Sequence, residues 1–68
     1  MNYKVIIRDK EEGNEDYLDG LTKPKAIEEA AKQAADASKN IYIEWTNAKG
    51  ENGYLNRNGD MDCPGEPW

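Results

Sequence analysis

The chain has no histidine and no phenylalanine, one cysteine and one serine. Each absence removes a class of chemistry. Without histidine there is no Ser-His-Asp or Cys-His nucleophile and no imidazole general base. Ser38, the only serine, falls at the end of a helical stretch with no base beside it. With no histidine and one cysteine, a zinc site of the usual kind lacks its ligands. A single cysteine, Cys63, excludes an internal disulfide. Secreted domains this small are normally stapled by several, so the expected compartment is reduced and cytoplasmic. Cys63 stands beside Pro64 and is read as an unpaired, unreactive thiol. No run approaches the roughly 20 apolar residues of a membrane span, and the N-terminus carries no apolar signal stretch.

Phosphate-cradling loops are missing too. Gly50-Glu51-Asn52-Gly53 matches no phosphate motif and is acidic. In "NRNGDMD", Asn56, Asn58, Asp60 and Asp62 alternate as calcium ligands do, but Gly59 arrives too early for an EF-hand loop. Gly13 in "DKEEG" is also one place early. Asn58-Gly59 is sufficiently explained as a tight turn. Paired carboxylates remain, but carboxylate catalysis across a sugar needs a cleft that 68 residues rarely build. No metal, no cofactor and no enzymatic activity are expected.

What is present is charge. The chain carries 14 carboxylates against 9 basic residues, a net charge of −5. That argues against direct binding of nucleic acid or of an anionic membrane, and favours a positively charged protein surface. Six carboxylates cluster in "DKEEGNEDYLD": Asp9, Glu11, Glu12, Glu15, Asp16 and Asp19, with Lys10 the only base among them. Such a stretch is either a solvated loop that keeps a small protein soluble or a surface that competes with nucleic acid for a basic groove.

The 68 residues make one domain, marginal in the area it can bury. Two Trp and four Tyr supply large anchors for a small core. "NYKVIIR" (2–8) alternates as a strand, with Tyr3, Val5 and Ile7 on one face. Gly13-Asn14 reads as a turn, Tyr17-Leu18 as a short returning strand, and Gly20 as its break. "TKPKAIEEAAKQAADAS" (22–38) predicts a helix capped by Thr22, with Pro24 in the first turn. Its apolar stripe is Ile27, Ala30, Ala31 and Ala34, and Asn40 is its left-handed stop. "IYIEWT" (41–46) is a strand with Ile41, Ile43 and Trp45 on one face. Residues 53–57 predict the next strand, and Asp60-Met61-Asp62 a short edge piece after the turn.

The expected fold is α+β: one helix on an antiparallel sheet of three to five strands, order ββαββ, over residues 1–62, with an irregular tail at 63–68. The predicted core is Val5, Ile7, Leu21, Ile27, Ala30, Ala31, Ala34, Ile41, Ile43, Trp45 and Leu55. The helix leaves one sheet face open, with Ile6, Tyr42 and Tyr54 on it. That face is covered by Met61 or Trp68 from the tail, or it meets a partner or a second copy. Tyr42 and Tyr54 are the candidate aromatic anchors. No internal repeat is apparent.

"YKVIIRD", "LTKPKAIEEAAKQA", "NIYIEWTNAKGENGYLN" and "RNGDMDCPGEPW", in that order, resemble small bacterial and phage strand-helix-hairpin domains. In size, charge and element order the chain is also similar to the small acidic inhibitors that phages encode against host defence, the anti-CRISPR proteins. That resemblance implies a small rigid protein that binds a large host nucleoprotein complex and blocks nucleic-acid loading or a conformational step. It implies no particular functional residue. The alternative is a structural or housekeeping domain that forms a homodimer through its open sheet face.

Overall fold

The computed structural model describes residues 1–61 and 65–68. Strands β1 (Asn2–Asp9) and β2 (Glu15–Leu21) form a hairpin. Helix α1 (Lys23–Ala34) follows, then β3 (Lys39–Thr46) and β4 (Asn52–Leu55). The four strands make one antiparallel sheet in the order β2-β1-β3-β4, with α1 on one face. This is the expected ββαββ arrangement. No described helix is long and apolar enough to cross a membrane.

The sheet is organised around β1 and β3, which pair along their whole length. Val5 lies opposite Ile43 and Ile7 opposite Ile41, so the apolar sets of both strands share the helix-side face. Val5, Ile41, Ile43 and Leu55 are essentially fully buried, with Tyr3, Ala26 and Ala30 completing the core. Ile7, Leu21, Ile27, Ala34 and Trp45 pack against it half-buried.

Thr22 caps α1 as expected: its hydroxyl accepts from the Lys25 amide and its carbonyl from Ala26, with Pro24 in the first turn. The buried stripe keeps Ile27, Ala30 and Ala34 but takes Ala26 in place of Ala31. Ala26 and Ala30, four apart, meet the sheet, whereas the predicted Ala31 is exposed. Two alanines on this line let the helix sit close to the sheet, and Ile27 and Ala34 flank them. The helix also ends at Ala34, well before Ser38. The Asp36 carboxylate accepts from both the amide and the hydroxyl of Ser38, and its carbonyl accepts from the Lys39 amide. This local turn competes with further helix. Asn40 is therefore not a left-handed stop; it lies in β3, and no described non-glycine residue has positive φ.

Gly20 does not break the second strand. Tyr3 pairs with Leu21 but Val5 with Leu18, so β2 carries one extra residue there. Gly20, at φ +69°, absorbs that residue as a bulge, a backbone state that costs glycine little. β2 consequently runs through to Leu21.

β4 stops at Leu55 rather than continuing to Arg57. The cause is a turn that occurs twice. In "NAKGE" the Asn47 side-chain oxygen accepts from the Lys49 and Glu51 amides, its amide group donates to Glu51, and Gly50 donates back to the Asn47 carbonyl. In "NRNGD" Asn56 does the same with Asn58, Asp60 and Gly59. The second copy diverts the chain, and neither Asp60 nor Met61 is in a strand; Asp62, the end of the expected edge piece, lies outside the described residues, as do Cys63 and Pro64.

Gly65–Trp68 have no regular structure but are built into the fold. The Trp68 amide donates to Ile41 at 2.8 Å, continuing the β3 ladder beyond the end of β4, and its indole donates to Leu55 at 2.9 Å. Met61 accepts from the Trp45 indole at 2.9 Å. Met61 and Trp68 both pack on the helix-side core, not over the open face as expected. Among the described tail residues, Gly65 lies against the open face, where a β-carbon on it would come within 2.9 Å of the Tyr54 ring.

Candidate functional site

The six candidate carboxylates fall into two groups. Asp9, Glu15 and Asp19 are engaged by the fold. Asp9 accepts from the Glu11 and Glu12 amides and from Lys39 at 3.3 Å, which closes the β1–β2 turn. Glu15 takes the Arg8 guanidinium across the strands and the Tyr17 hydroxyl at 2.9 Å. Asp19 accepts from Asn2 and from the Gly20 amide, fixing the bulge. Glu11, Glu12 and Asp16 are exposed, and among the described residues only Glu12 of the three has a side-chain hydrogen bond, from Asn14. The six do not form a single row. Glu15 and Asp19 lie on the open face beside Arg8 and Asn2, Asp16 lies opposite Ile7 on the other face, and the rest ring the turn.

These contacts leave an electrostatic signature. Hydrogen bonds from the Glu12 and Glu11 amides, then Lys39, hold Asp9 below its ordinary 3.8. Arg8, then the Tyr17 hydroxyl, holds Glu15 below 4.5. Asn2, then the Gly20 amide, lowers Asp19, and the Ser38 hydroxyl and amide lower Asp36. In each case the fold favours the anion. That contribution is fully present above the ordinary values and is lost as pH falls through and below them. Thermal melting is therefore expected to be flat from about pH 7 to 5.5 and to fall progressively below about pH 4. A melting temperature that held or rose on acidification to pH 3 would contradict these contacts.

Tyr42 and Tyr54 are brought together on the open face, ring centroids 6.1 Å apart and tilted by 59°. Arg8 lies 5.8 Å from the Tyr42 ring and Lys4 5.1 Å from that of Tyr17. Lys4 also pairs with Glu44 at 3.8 Å. The face thus carries aromatic rings from three strands, and its two cations are both paired with carboxylates. Glu15, Tyr42 and Tyr54 line one concavity of about 170 Å³, less than a small-molecule site normally needs. A concavity of about 430 Å³ between α1 and Trp68 is lined by alanines, with Arg57 as its one charged group.

Tyr17 and Leu18 were legible in the sequence as strand residues but not as surface features. Both are exposed large apolar side chains, at 54% and 37%. They point to opposite faces of β2, since Tyr17 pairs with Ile6 and Leu18 with Val5. Their exposure follows from the sheet order: β2 is an edge, and α1 packs on β1 and β3. No family model matches this chain, and no curated protein or solved structure matches it.

Proposed function

We propose that the chain is a non-enzymatic, cytoplasmic protein-binding module whose acidic β1–β2 hairpin is the working surface. Its partner is a basic surface of a larger nucleic-acid-handling complex, which it inhibits by occupying the place of a phosphate backbone; the anti-CRISPR resemblance implies a block of nucleic-acid loading or of a conformational step. The observation that carries this reading is a division of labour among carboxylates. Asp9, Glu15 and Asp19 fix the shape of the hairpin, while Glu11, Glu12 and Asp16 remain exposed at its tip and edge. Carboxylates displayed on a rigid hairpin offer Lys and Arg a charge pattern at low ordering cost.

The test is the triple variant Glu11→Lys, Glu12→Lys, Asp16→Lys. Exposed substitutions of this kind are expected to leave the fold intact, as circular dichroism would check. The wild-type chain, used as bait in host lysate, is expected to retain a nucleic-acid-handling complex at low salt and lose it at moderate salt. The triple variant should retain none. Equal capture by both proteins would make the acidic surface a solubility device only.

A second reading is favoured by one observation: Ile6, Tyr17, Tyr42 and Tyr54 lie on the face without the helix. Here the module self-associates through that face, and light scattering at micromolar concentration is expected to give a dimer mass. A strict monomer at high concentration removes this reading.

A further inference from the structure

We infer that the outer edge of β2 accepts an extended basic segment of the partner as a fifth strand, with the segment's apolar side chains over Leu18 and its Lys or Arg side chains over Glu15, Tyr17 and Asp19. The inference rests on the protein-binding reading above and specifies how the partner is held.

The two edges of the sheet differ. On the β4 side the strand is only four residues long, and beyond its end Trp68 takes the next place on the β3 ladder, at Ile41, while its indole holds Leu55. On the other side β2 pairs with β1 alone among the described strands. An edge strand presents a row of backbone donors and acceptors that an extended peptide can complete, which is a recurring mode of peptide capture.

The side chains on that edge define the occupant. Leu18 faces the helix side, where Ile7 and Leu21 are half-buried, so an added strand with an apolar residue there extends an existing cluster. Tyr17 faces the open side between Glu15 and Asp19. Glu15 and Asp19 also bond Arg8 and Asn2, so a lysine or arginine there shares these carboxylates with them and lays its stem along the Tyr17 ring. The occupant therefore alternates apolar and basic residues. A second copy does not fit, because residues 9–21 carry six carboxylates and one lysine, and pairing two such edges sets like charges against each other.

The probe is a nine-residue peptide alternating lysine and valine, titrated into the ¹⁵N-labelled full chain at low salt. The expected result is slowed amide exchange confined to β2. The same peptide with every backbone nitrogen methylated keeps its charge but cannot donate to a ladder, and should bind at least about tenfold more weakly. A glutamate–valine peptide should not bind, and Leu18→Thr should weaken the lysine–valine peptide severalfold. Equal binding by the methylated peptide would overturn strand addition while leaving a basic-surface binder in place. So would protection on the open face in place of β2. No binding by the lysine–valine peptide would also overturn it, and the lysate experiment, which needs no β2 ladder, would still decide the broader reading.

Discussion

Ile43→Ala is expected to lower the free energy of unfolding by about 3–4 kcal/mol, within the usual range for a buried Ile truncated to Ala. Ile43 is completely buried and sits where three strands meet, opposite Val5 on β1 and Leu55 on β4. No flexible neighbour stands ready to fill the space, since those partners are themselves fixed in ladders. A chain of 68 residues has a total of only about 3–10 kcal/mol to lose. The variant should therefore lose about a third or more of its stability and melt at a clearly lower temperature by far-ultraviolet circular dichroism. Ile43→Val, which keeps the β-branch, should cost about 1 kcal/mol and remain folded. A loss under about 1 kcal/mol for the alanine variant would mean that the core is not packed as described.

Trp68→Ala is expected to cost about 2–3 kcal/mol, from the indole's contact with the core and its hydrogen bond to Leu55. The backbone bond from residue 68 to Ile41 survives the substitution, so the cost isolates the side chain. Urea unfolding followed by Trp45 fluorescence measures it, since Trp45 becomes the only tryptophan. Trp68→Phe should recover much of the packing but not the hydrogen bond, and fall between. A cost below about 0.5 kcal/mol, the size of an ordinary surface change, would detach the C-terminal residues from the core.

The tail illustrates where reading from sequence runs out. β1 and β3 were legible because Tyr3-Val5-Ile7 and Ile41-Ile43-Trp45 alternate over long stretches, and a half-buried strand requires that period. The start of α1 was legible because Thr22 and Pro24 are chemically suited to it. The end was not: Asp36 stops the helix by hydrogen bonds to Ser38, and this competes with a run of helix-favouring residues that extends past it. Trp68 was read as part of an irregular tail because its role depends on two carbonyls, at Ile41 and Leu55, that only the folded sheet brings near it. The repeated Asn-x-x-Gly-acid turn was visible in "NAKGE" and "NRNGD", yet five residues are too short to register as a repeat until the same hydrogen bonds appear in both.

The candidate site divides likewise. The acidic cluster was apparent from composition, but composition cannot say which carboxylates are occupied. Asp9, Glu15 and Asp19 prove to be fastened to Lys39, Arg8 and Asn2, residues that the β1–β2 and β1–β3 registers bring alongside. Tyr42 and Tyr54 were correctly assigned to the open face; Tyr17 joins that face because Ile6 pairs with it, a register set by the turn at Gly13.

The unequal edges of the sheet bear on what assemblies this molecule can enter. Growth of a continuous sheet from subunit to subunit needs two receptive sides on every unit, as in fibres and in open head-to-tail arrays. Here one side offers the seven residues of β2 and the other only the four of β4, after which the Asn56 turn leads the chain away. A sheet that adds this molecule through β2 has only that short strand from which to continue. If partners add through β2 as proposed, the short β4 edge makes this molecule a terminus, and its complexes should keep a fixed stoichiometry however concentrated the solution becomes.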